Sequence, residues 1–172
     1  MIMLKPVFII AIVAVAMIGV MVPSIFAESI SVNCDILNPN SILINCDLTK
    51  INFKDLDISG SDLSGTNLSD VNLSSMNLSQ INFSGSNLKR ADLSGSNLAN
   101  ANFENAKLGS NFSGSNLMNT NFANADLSGS NLANADLSGS NLANADLSDM
   151  NLKFTNFSGS NLANADLSGS NL

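Results

Sequence analysis

The sequence predicts an all-β solenoid, a four-sided β-helix of very short strands joined by tight corners. Three observations carry this reading. A large apolar residue recurs at every fifth position. Glycine, asparagine and aspartate hold a fixed place after it. Whole phrases also repeat, as in "ADLSGSNLANADLSGSNLAN" at 125–144.

The period comes first. From Leu48 to Leu108, and after a slip of one residue from Phe112 to Leu172, there are 26 such centres: 19 Leu, 6 Phe and 1 Ile. A period of five fits neither a helix nor a long flat strand; it fits a short extended segment followed by a corner. With the large residue called i, positions i−2 and i lie on the same side of an extended segment and both point inward. Between them, i−1 is nearly always Asn or Asp and points outward. Position i+2 is most often Gly, then Asn, then Asp, the types that best tolerate positive φ and tight turns.

A corner every five residues, always toward the same inner side, closes a square after four. One coil then takes about 20 residues, and the next stacks on it at roughly 4.8 Å. The stretch from Leu48 to Leu172 makes about six coils, a rod about 30 Å long. Leu127, Leu132, Leu137, Leu142 and Leu147 are expected core residues. Because backbone hydrogen bonds join one coil to the next, a lone coil should not fold.

The recurring A-(D/N)-L-x-x pattern, matched position by position by Ala125, Asp126, Leu127, Ser128 and Gly129 and running over 46–172, resembles the pentapeptide repeat family. The resemblance implies a right-handed quadrilateral β-helix; the handedness and the turn types come from it and not from the period.

The amino terminus is different. Lys5 precedes a wholly apolar run from Val7 to Val22, and "PSIFAES" follows. Residues 1–27 read as a helical signal peptide cleaved after Ala27; an uncleaved membrane anchor is the rival, although the run is short of the roughly 20 residues that span a bilayer. Residues 28–47 read as an amino-terminal cap and 48–172 as the solenoid, with the slip at 108–112. Gly109 is the expected accommodation of that slip, either as a tolerated local kink or as a bend that shapes a binding face. Cys34 and Cys46 are the only cysteines. In an exported chain they suggest a disulfide, the alternative being two small buried apolar side chains.

Composition restricts function. With no His in the chain, Ser-His-Asp, Cys-His and His-zinc sites are excluded; no catalytic residue and no cofactor is expected. Removing 1–27 takes away Lys5 and no acid, leaving 6 basic and 14 acidic residues, a formal charge of −8. Nucleic acid is a poor partner for such a surface. Asp126, Asp146 and Asp166 recur once per coil and should stack in one column, a weak candidate for a hard cation against the plainer reading of a solvated face. Asn67, Asn72, Asn77, Asn82, Asn111 and Asn156 each begin an N-x-S sequon, a tripeptide that the repeat itself generates. The last coil should leave Leu162, Leu167 and Leu172 near an open edge, which invites pairing with a second copy; fraying would look the same.

The expected function is a non-catalytic structural or protein-interaction module, secreted or at the cell envelope, with its partner unidentified. The alternatives are an acidic mimic of duplex DNA acting on a topoisomerase-like target, which the resemblance implies for some members, and a flat surface that binds ice or glycan.

Overall fold

In the computed structural model of the chain, Cys34 and residues 37–172 are described, and the leader reading of 1–27 lies outside them. The described chain contains no helix. It is a stack of coils in which the outward residue at i−1 forms a parallel bridge with its counterpart one coil on, Asp62 with Asn82, Asn67 with Asn87, Asn72 with Asp92 and Asn77 with Asn97. Four such bridging positions per coil, each followed by a turn, make four walls. The first wall runs from Ile42 to Asn161, the second from Asp47 to Asp166, the third from Asn72 to Asn171 and the fourth from Asn77 to Asn156.

Backbone hydrogen bonds repeat with the walls. The large centre donates to the carbonyl of the bridging residue in the next coil, as Leu63 does to Asn82 at 2.7 Å, while Asn82 donates back to the Ser61 carbonyl at 2.9 Å. The first wall begins at Ser41–Leu43, where Ile42 bridges Asp62 and Leu43 is fully buried. One regular side therefore lies inside the stretch read as a cap. Ile42 and Ile44 in place of the usual Asn and Ser hide Leu43 in the sequence.

The interior is filled by the residues of the five-residue period. Leu127, Leu132, Leu137, Leu142 and Leu147 are each 0% exposed. Phe83, Phe103 and Phe122 stack in the first wall's column with ring centroids 5.1 and 4.9 Å apart, and Phe112 meets Phe103 edge-on at 5.8 Å. Beside these centres, small side chains at i−2 leave room. Where they are Ser or Thr, most of the hydroxyls donate to a backbone carbonyl, as from Thr66 to Leu63 and from Ser86 to Phe83, both at 2.6 Å. Among the described residues no buried side-chain nitrogen or oxygen lacks a partner, so these hydroxyls stay inside without an unsatisfied group.

The corners bear out the choice of residue at i+2. From Asp55 to Gly169, the slip apart, every residue in that place has φ between 54° and 71°. Phe154 is the bulky exception, held at φ 59° and 86% exposed, so it bears the left-handed strain with no packing to offset it. At the slip each bridge spans one residue fewer than elsewhere, Asp92 with Asn111 and Lys107 with Asp126, and none is lost. Gly109 at φ 66° makes the corner there one place early and takes the chain from one wall to the next in four steps.

Two outcomes follow from this packing. Phe154→Asn should raise stability to urea by about 1 kcal/mol through relief of the corner. Phe103→Ala, which empties the centre of the aromatic stack, should lower it by about 3–5 kcal/mol.

Candidate functional site

The outward Asn and Asp side chains are the most ordered feature of the surface. Along the walls the carboxamide or carboxylate oxygen at i−1 accepts from the amide two places on, as Asp146 does from Ser148 at 2.9 Å and Asn141 from Ala143 at 3.2 Å. This local bond pins the side chain against its own corner. The free NH2 of the Asn then reaches toward the amino-terminal end. On the first wall Asn82 donates to Asp62 at 2.9 Å, Asn102 to Asn82 at 3.2 Å, Asn121 to Asn102 at 3.0 Å, Asn141 to Asn121 at 3.1 Å and Asn161 to Asn141 at 3.1 Å. The result is an unbroken one-way ladder.

A carboxylate accepts in such a ladder and cannot pass it on. On the fourth wall Asn156 donates to Asp136 at 3.0 Å, and no bond runs from Asp136 to Asn116. On the second wall the ladder stops after Asn87, which donates to Asn67 at 3.0 Å, because Lys107, Asp126, Asp146 and Asp166 follow. Asp126, Asp146 and Asp166 do bridge one another in succession. Their carboxylates are turned to the amides of Ser128, Ser148 and Ser168 at 3.1, 2.9 and 2.9 Å. Among the described residues no three His, Cys, Asp or Glu side chains come close enough together to hold a metal ion, so the column stacks without forming a cation site.

Several carboxyls titrate below their usual range. The Ser138 amide, then the Ser138 hydroxyl and Asn156, hold Asp136 down, and the Ser168 amide and hydroxyl do the same for Asp166. Asp70 is lowered by the hydrogen bonds from Arg90, which grips it at two points, each 2.6 Å long, at an exposed corner of the second wall.

Cys34 and Cys46 are joined by a disulfide, with Cα atoms 5.8 Å apart. Cys46 is buried in the apolar interior, so the bond ties the stretch before the first coil to its core. Beside Gly109 the missing corner residue leaves a shallow depression of 220 Å³ lined by Lys89, Arg90, Leu108, Asp126 and Ser128. Of the six sequon asparagines, Asn82, Asn111 and Asn156 spend their NH2 on the coil before.

Residues 33–111 match the description "Pentapeptide repeat region", and 108–142 and 130–172 match "Pentapeptide repeats (8 copies)". The chain belongs to the pentapeptide repeat family. No curated protein matches the sequence. Among solved structures, the pentapeptide-repeat chain is similar to HetL, a protein involved in heterocyst differentiation regulation from the cyanobacterium Nostoc, with 31% identity over 76% of this chain and 70% of that one and a TM-score of 0.56. It is also similar to a pentapeptide repeat protein from the Arabidopsis thaliana thylakoid lumen, with 32% identity over 58% of this chain and 70% of that one and a TM-score of 0.33. A third match is QnrB1, a plasmid-mediated fluoroquinolone resistance protein, with 24% identity over 78% and 80% of the two chains and a TM-score of 0.43.

Asp136→Asn supplies the missing donor toward Asn116 and should raise stability by about 0.5–1 kcal/mol. The lowered carboxyls make stability present at neutral pH and lost as pH falls through their folded-state values. The unfolding temperature should therefore decline below about pH 4, and less steeply in Asp136→Asn than in the parent chain. Reducing the Cys34–Cys46 bond should lower stability by about 3 kcal/mol, the loop entropy it removes from the unfolded chain, as read by urea denaturation with and without dithiothreitol.

Proposed function

We propose that the chain is an exported, non-catalytic solenoid serving as a structural or protein-interaction module at the cell envelope. The observation that carries the compartment is the disulfide between Cys34 and Cys46. Such bonds persist where the surroundings are oxidising and are rare in the cytosol. The apolar run from Val7 to Val22 with "PSIFAES" after it supplies a route there.

The interaction role rests on the walls. Their outward rows are Asn, Asp and Ser held in fixed register by the amide ladder, which suits contact with a broad surface. HetL's stated involvement in regulating differentiation is in keeping with a module that acts by binding.

Amino-terminal sequencing of the protein from the outer fraction should begin at Glu28, with both cysteines unreactive toward a thiol reagent until reductant is added. An intact leader on a cytoplasmic protein with two free thiols would overturn the export reading.

A further inference from the structure

The first two coils fail to close on each other along the third and fourth walls. Elsewhere, apart from the unbonded corner amide of Lys50, they are joined: Leu48 donates to Asn67 and Asn67 to Cys46, both at 2.9 Å, and Gly60 donates to Ser79 at 3.1 Å. Between these points the register calls for Phe53, Asp55 and Ile58 to donate to the second coil, and for Asn72 and Asn77 to donate back to the first. None of these five amides has a hydrogen-bond partner. The bridges Asn52–Asn72 and Asp57–Asn77 are likewise not made. One coil further on the same bonds are present, Leu73 to Asp92 and Leu78 to Asn97 at 2.7 Å, and Asn97 to Met76 at 2.9 Å.

The cause lies in the inward positions at i−2. On these two walls Ile51 lies under Val71 and Leu56 under Met76, so two large side chains are stacked where the repeat normally places small ones. A single large residue disturbs the stack less: Met150, between Ser130 and Ser170, costs the Asn151 amide its bond to Ser130 but leaves the Asn131–Asn151 and Asn151–Asn171 bridges intact. Ile81, between Ser61 and Ala101, leaves the bridges of Asn82 intact. Two in succession overfill the space and hold the lips apart. The gap is a cleft of 330 Å³ lined by Asn52, Lys54, Asn72, Ser74 and Met76. It adjoins one of 410 Å³ that reaches Asp55, Leu56 and Asp57.

We propose that this seam is a binding site for an extended peptide segment. An unpaired backbone amide on a buried residue is costly, and two of the five, at Phe53 and Ile58, are on buried residues, the other three being on exposed residues of the same two lips. The ligand whose chemistry matches rows of N–H and C=O on two sides is another main chain in extended form, which carries both along each edge. Leu56 and Met76, half-buried at the floor, take an aliphatic side chain. Lys54 and Asp55 at the rim meet polar neighbours. The first coil remains bonded along the first and second walls, which act as the hinge on which the lips part to admit the segment. This site deepens the reading of the protein as an interaction module and rests on it; it is independent of where the protein resides.

The test uses the full chain and an array of random-sequence octapeptides. Octapeptides that bind should slow hydrogen exchange at the amides of Phe53, Asp55, Ile58, Asn72 and Asn77, which exchange fast in the free protein. N-methylation of alternate residues of a binder should weaken it by about tenfold for each hydrogen bond lost. The double substitution Ile51→Ala with Leu56→Ser lets the seam close: those amides become protected without peptide, and binding falls by the same order or more. Circular dichroism and the melting temperature of that variant report that it is folded. The proposal is overturned if the five amides are already protected in the free chain, if no octapeptide slows them, or if N-methylation leaves affinity unchanged. A cytoplasmic protein with its leader intact would sink the export reading and leave this result as it stands.

Discussion

No side of this solenoid is long enough to be a strand that stands alone. Each contributes only a short extended segment, and its backbone groups are satisfied only by the coils before and after. Leu63 gives its amide to Asn82 and Asn82 returns one to Ser61, and this exchange, repeated on four walls, is the constraint to which the rest submits. The large centres must be inward because the next coil covers them. Large side chains at i−2 cannot lie one above another in successive coils because the coil spacing is set by the hydrogen bond and does not stretch. The corner must be tight because any longer path would put the next side out of register.

The same constraint accounts for the places where the pattern yields. At Gly109 the chain drops one residue and keeps every bridge, so register takes precedence over uniform corner geometry. At Phe154 a bulky residue is forced into a left-handed corner and still does not break the ladder around it. Between the first two coils the interior wins instead. Ile51, Leu56, Val71 and Met76 cannot all lie inside at the normal spacing, and five amides go without partners as a result. Side-chain volume and backbone bonding compete, and there volume prevails over whole bridges.

Much of this was legible in the residues. The five-residue period places Leu127 and its neighbours inside, and Gly or Asn after them marks the corners, because both signals depend on local geometry alone. Leu43 was hidden by isoleucines on either side. The seam was harder: Ile51, Leu56, Val71 and Met76 are plain to read as inward residues, but their conflict depends on which residues are superposed one coil apart. The direction of the Asn ladder was not legible at all, since Asn and Asp look equivalent at i−1 until the NH2 groups are seen to point one way. The stacked aspartates were placed correctly in a column; what the sequence could not give was that each carboxylate is already engaged by its own corner.

The one-way ladder also bears on how such a rod lengthens. The decapeptide ADLSGSNLAN occurs at 91–100, 125–134 and 135–144, and two in tandem make one complete coil. A duplicated coil with Asn on the first wall slots in at any height, because carboxamide both gives and receives. One bearing Asp there fits without loss only at the foot of the column, where Asp62 stands. Growth by copying is thus free in length and restricted in lettering, and the distribution of carboxylates records which insertions the stack could absorb.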